Sequence, residues 1–218
     1  MWSTKLTPIF FDLRPLLFFK GVNYYYIKTV KYFPLYIMRQ LAHAYHEFFR
    51  VNPKNKGSTP LHASAWIGNE VVVKHILNKM DGRKMSYNPK DSTEWTPLHW
   101  AAFNGHDSIC GMIMAKVKRK NPQNKLGTTP LHYACLNGHI EVCRLMVGML
   151  EDKNPQNMFG DTPLHQAAKA GHFEICKYVF RASTLDLFSS HIPYSFPISF
   201  LIQNKIYNLA KTTRSSPL

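Results

Sequence analysis

Seven histidines stand at two recurring places in this 218-residue chain, and neutral imidazole is the side chain best suited to hold a metal or move a proton near pH 7. One set is His62, His99, His132 and His165; the other is His106, His139 and His172. A metal needs ligands that converge on one point, and a general base needs a partner that orients it. Residues spaced by one repeat are instead laid out in rows along a solenoid, so hydrogen bonding within the fold is their expected use. His43 and His46 are i, i+3 neighbours with no third ligand in evidence. Cys110, Cys143 and Cys176 likewise share one repeat position. Neighbours in such a column stand about one helix-packing distance apart, ~10 Å, which is too far for a disulfide. All four cysteines, Cys135 included, are therefore expected to be free. No Gly-rich phosphate loop, nucleophile elbow or paired-carboxylate motif is found, and no catalysis, cofactor or metal is expected.

The elements that carry these residues follow from one stretch, TTPLHYACLNGHIEVCRLM, residues 128–146, because parts of it recur. TPLH begins at Thr59, Thr96, Thr129 and Thr162, with starts 37, 33 and 33 residues apart. A glycine follows each at a constant interval (Gly68, Gly105, Gly138, Gly171), and an Asn-Pro pair precedes each (Asn52, Asn88, Asn121, Asn154). Such a period means stacked copies of one supersecondary unit. Within a unit, the Thr hydroxyl is placed to cap a helix and Pro is tolerated at its first position. Small residues such as Ala134 admit a close neighbour, and Gly138 is placed to end the helix in a left-handed conformation. A second helix follows over 139–146, where most apolar residues keep helical spacing. The link Asn154-Pro155-Gln156-Asn157-Met158-Phe159-Gly160 is dense in turn formers and carries the chain out and back.

At these residues the chain resembles the ankyrin-repeat family, whose pattern is D/N-x-x-G-x-T-P-L-H-x-A-A-x-x-G-H. The resemblance covers four units, residues 52–183, and implies an all-α solenoid of stacked antiparallel helix pairs with projecting turns, used as an interaction module. Departures are a first unit one residue shorter before Gly57, Asn69 in place of the second-row histidine, and Glu94 in place of a turn glycine. The Glu94 turn tip is expected to be altered.

Outside the four units, residues 1–34 form a basic, aromatic arm expected to be poorly ordered; Asp12, Arg14, Pro15 and Lys20 interrupt it too often for a membrane span or signal peptide. Residues 35–51 carry apolar groups at 37, 38, 41, 45, 48 and 49, the stripe of an amphipathic helix that would cap the first unit as a half-repeat. Residues 184–218 form a tail with a possible helix over 197–211. The long 37-residue spacing falls at residues 81–87, a lengthened loop. The net charge of +14 favours acidic partners or surfaces. Its densest run, Lys116, Val117, Lys118, Arg119, Lys120, has three readings: a nuclear import signal, an anion-binding edge, or a solvated helix end that offsets the helix dipole. The expected compartment is the cytoplasm, or the nucleus should the run be an import signal.

The resemblance implies that the residue before each Thr, and those one, four and five after each His, face the concave side. Of these positions, Trp66, Trp95, Trp100, Phe103, Tyr133 and Leu136 are the large apolar members singled out in units one to three, beside Ala63 and Ile67, while the fourth unit presents Asp161, Gln166, Lys169 and Ala170. Trp and Tyr are frequent interface anchors, which puts the partner surface on units one to three. Should Trp100→Ala unfold the array, the ring is core and the surface is to be sought on the projecting turns around Trp95, Leu126 and Phe159. The expected function is a non-catalytic, monomeric adaptor for another protein, with no transmembrane segment. The rivals are a basic surface for nucleic acid or anionic lipid, and an inhibitor that occludes a partner enzyme; nucleic acid is not the expected partner, and salt separates that rival from the main reading, because phosphate binding weakens steeply with ionic strength while an aromatic interface does not.

Overall fold

The structure, a computed structural model, describes residues 34–51, 57–81 and 86–185. The arm over 1–33, the tail over 186–218 with its 197–211 segment, and the first Asn-Pro pair lie outside the described residues. Every regular element among the described residues is an α-helix. A first helix, α1 (Leu35–Val51), leads into four pairs: α2 (Pro60–Ile67) and α3 (Glu70–Met80), α4 (Pro97–Asn104) and α5 (Asp107–Met114), α6 (Pro130–Leu136) and α7 (Ile140–Met149), α8 (Pro163–Ala170) and α9 (Phe173–Leu185).

Each pair packs internally and against the corresponding helices of the next, and α1 lies on α2 and α3. Ile37, Leu41, Ala44 and Phe48 form the buried stripe of α1, one helical turn apart along one face. Core positions recur by unit: Leu61, Leu98 and Leu131 in the first helices, Ile109 with Ile113, Val142 with Met146, and Ile175 with Val179 in the second. Ala63, Ala101, Ala134 and Ala167 are wholly buried, and their small side chains let first helices approach one another closely.

The second helix of the third unit begins one residue later than its sequence suggests, with His139 outside its first turn, and runs on to Met149. Between pairs, the chain projects as a turn held by one carboxylate or amide. Asp91 Oδ1 accepts from the N–H groups of Thr93 (2.9 Å) and Trp95 (3.0 Å), and Asn124 and Asn157 do the same for their own turns. Adjacent turns are stitched together where Met158 N–H donates to the Leu126 carbonyl at 3.0 Å.

Glu94 keeps the turn conformation that glycine holds elsewhere. Its φ is +61°, beside +70° at Gly127 and +76° at Gly160. The expectation of an altered tip is thus corrected: the turn is conserved in shape, and a residue with a Cβ is strained into it. The Lys90 ammonium pairs with the Glu94 carboxylate and lowers its pKa.

The Asn of each described Asn-Pro pair has a use beyond turn chemistry. Oδ1 of Asn88, Asn121 and Asn154 accepts from the N–H of Leu98 (3.1 Å), Leu131 (3.4 Å) and Leu164 (3.3 Å), the residue after each helix-starting proline. An otherwise orphaned N–H at each first-helix start is satisfied from ten residues upstream.

Candidate functional site

Phe48 on α1 is wholly buried, and its ring meets the edges of Trp66 (5.8 Å) and Trp100 (5.2 Å). Trp95 continues the chain of rings, with centroids 4.3 Å from both Trp100 and Tyr133. Phe103 stands 5.8 Å from Trp95 and from Tyr133. Five of the six residues singled out from sequence are therefore in one cluster that runs from α1 across the first three units. The sixth, Leu136, is half-buried on α6, outside this set of ring contacts.

Trp100 departs from the expectation of a free anchor. It is 8% exposed, and its indole N–H points at Asp91 Oδ2 at 3.4 Å. Phe48 packs on the ring at 5.2 Å from a helix far upstream, and Trp95 lies against it at 4.3 Å. Trp66, Trp95, Phe103 and Tyr133 are half-buried and keep a face to solvent. The Tyr133 hydroxyl accepts from Asn124 Nδ2 at 3.0 Å, which fixes the ring, and burial raises the phenol pKa.

On the projecting turns, Leu126, Met158 and Phe159 are open, the last two more than 70% exposed. The fourth unit is polar where the others are aromatic: Lys169 Nζ bonds both oxygens of Asp161 (2.7 and 2.9 Å), and Gln166 Nε2 donates to the same carboxylate.

The histidines are consumed by structure. Nδ1 of His62 accepts from the Thr59 N–H (3.0 Å) and hydroxyl (2.8 Å), which leaves the proton on Nε2, and Nε2 donates to the Trp95 carbonyl of the next unit at 3.2 Å. His99 repeats this toward Thr128 and His132 toward Asp161. Burial disfavours the imidazolium and holds the pKa of His62 down to about 4 and of His99 to about 3. His132 and His165 are lowered for the same reason.

The second row reaches backward. Nε2 of His106, His139 and His172 donates to the carbonyls of Trp66, Phe103 and Leu136 in the preceding units, at 3.1, 2.9 and 3.1 Å. Asn104 and Asn137 add Nδ2 bonds to the first two carbonyls. Among the described residues no group of three or more His, Cys, Asp and Glu is placed to hold a metal. The four cysteines are buried free thiols, with Cys135 and Cys143 3.5 Å apart, and burial raises the Cys110, Cys135 and Cys176 pKa values.

The basic run follows the end of α5 rather than forming its last turn, so the helix-end reading applies to Lys116 alone, which donates to the Ile113 carbonyl through its backbone. Lys116 Nζ bonds Asp81 at 2.8 Å and lies 5.9 Å over the Tyr87 ring. Lys118 and Arg119 are exposed, and Lys120 is half-buried. Lys116, Lys118 and Arg119, with Tyr87, Asn88 and Lys90 across from them, line a groove of ≈ 350 Å³.

Among the described residues no helix is long and apolar enough to cross a membrane. The family model for ankyrin repeats (3 copies) matches the chain over residues 27–122 and again over 113–188. A search of curated proteins gave no match.

Proposed function

The chain belongs to the ankyrin-repeat family, whose repeats are generally protein-interaction modules, and from that premise we propose a non-catalytic adaptor that holds a partner protein against the aromatic side of its first three units. The observation that supports this is the cluster itself. Trp66, Trp95, Phe103 and Tyr133 keep partial exposure while Phe48 and Trp100 beneath them are buried. Rings already fixed by their neighbours offer apolar area with little rotamer entropy left to lose on binding. The open turn tips at Leu126 and Phe159 extend the apolar surface beyond the helices.

Burial of Trp100 shifts the decisive residue to Trp95, which sits between Trp100 and Tyr133 and joins the turn to the helix face. Affinity capture with the whole chain, compared with Trp95→Ala and with Lys169→Ala on the polar unit, tests the proposal. Truncating an anchor of this kind costs ~2 kcal/mol or more of binding, roughly thirtyfold. The captured partner should be lost from Trp95→Ala and kept by Lys169→Ala, with thermal melts run alongside to show both variants folded. A folded Trp95→Ala that still holds the partner defeats this surface. The basic-surface rival separates on salt, since phosphate binding falls steeply with ionic strength.

A further inference from the structure

Two loops at the same place in successive units carry opposite charge. Asn121 and Asn154 each pin the start of the following helix through Oδ1, and counting back from them sets Lys118 against Glu151 and Arg119 against Asp152. The repeat geometry is met equally by either pair, so neither the fold nor the helix dipole requires cations after α5. What distinguishes the basic loop is its surroundings. It forms one wall of the ≈ 350 Å³ groove, within the ~300–1,000 Å³ span of ligand clefts, and residues 86–90 form the other.

We propose that this groove is a docking site for an acidic peptide segment of a protein partner, separate from the aromatic surface. Four cations line it, Lys90, Lys116, Lys118 and Arg119, and no carboxylate does among the described residues. Lys90 and Lys116 are held by Glu94 and Asp81, whereas Lys118 and Arg119 have no ion pair among the described residues and are exposed. Arg119 offers the planar fork that binds a carboxylate through two parallel N–H bonds, and Lys118 beside it supplies a mobile point charge. Asp81, which also accepts from the Tyr87 hydroxyl at 2.8 Å, ties the two walls together through Lys116, so the groove is shaped before a ligand arrives.

The same loops argue against nucleic acid as the occupant. A strand needs cations that track its phosphates along the solenoid. One unit further on, that path meets Glu151 and Asp152. A short acidic segment confined to one groove avoids them.

The test is anisotropy of a fluorescein-labelled octaglutamate peptide titrated with the full chain. Lys118→Glu with Arg119→Glu should weaken binding at least tenfold. Lys125→Glu with Lys177→Glu makes the same change in net charge at exposed positions elsewhere and should leave the affinity within twofold of the parent. Circular dichroism establishes that each variant is folded, and Trp95→Ala, which disables the aromatic surface, should bind the peptide unchanged. Absence of peptide binding, an equal loss in both charge-reversal variants, or tighter binding of an oligothymidylate of equal charge each overturns the proposal.

Discussion

Among the described residues, the second and third units have a neighbour on both sides, and the fourth has one on only one side. Gly105 and Gly138 lie under imidazoles of the following unit, so that a Cβ added at either would come within 2.5 and 2.7 Å of His139 and His172. At Gly171, with the same left-handed φ near +78°, nothing among the described residues stands within 4 Å. Nε2 of His99 and His132 each reach a carbonyl one unit on, while the described residues offer none to His165. The fourth unit's Leu164 is 6% exposed where Leu61, Leu98 and Leu131 are wholly buried. An identical local pattern therefore meets different packing according to its neighbour, and each unit's stability depends on its interfaces as well as on local sequence.

Substituting the glycines gives the largest separation between the two. Gly105→Ala combines a left-handed Cβ, ~1–2 kcal/mol, with overpacking against His139, typically ~1–3 kcal/mol more. Gly171→Ala carries the first cost alone. Urea denaturation should show the inner variant losing about twice the stability of the outer one, and equal losses would mean that His139 moves aside freely.

Acid sharpens the same contrast. A base with a lowered folded pKa leaves the unfolded chain binding the extra proton between the two values, so stability is full above about 6.5 and drains away as pH falls toward about 4 for His62 and about 3 for His99. By pH 4.5 each contributes a loss on the order of 3 kcal/mol. Measured from pH 7.5 to 4.5, the fall in denaturation midpoint should be visibly shallower in His99→Gln and less altered in His165→Gln, whose imidazole is only half-buried. Parallel pH profiles for parent and His99→Gln would remove this histidine from the acid response.

The smallest effect is a gain. Glu94→Gly relieves a left-handed residue at the one described turn tip that has a side chain, and should stabilise by ~1 kcal/mol less the weak exposed Lys90 pair. The matching Gly127→Glu should lose at least as much, because the Gly127 Cβ position is 3.1 Å from the Met158 amide nitrogen. A neutral Glu94→Gly would place the turn's stability in Asp91 instead.

Much of this architecture was legible in the chain, for a physical reason. Thr-Pro starts, Gly stops and the helical period act within ten residues, so the first helices at Pro60, Pro97, Pro130 and Pro163 and the glycines that end three of them could be placed from local chemistry. What escaped is set by distant residues. The burial of Trp100 depends on Phe48, the purpose of Asn88, Asn121 and Asn154 on amides ten positions away, and the groove on two loops some thirty residues apart. The histidine rows were readable as rows, but their acceptors are backbone carbonyls, which carry no sequence signature. Glu94 marks the opposite error: its side chain suggested a changed turn, and cooperative stitching by Asp91 kept the shape.

The two histidine rows point in opposite directions along the chain, and this bears on how the protein is made. A ribosome delivers the amino end first, so His106 finds the Trp66 carbonyl already outside the exit tunnel, whereas His62 must wait for Trp95, 33 residues later. At ~5–20 residues per second the interval lasts a few seconds. During it the newest unit is anchored backward but still open forward, with an imidazole free to take a proton. On the ribosome, therefore, the backward bond of each unit has its acceptor available before the forward bond does.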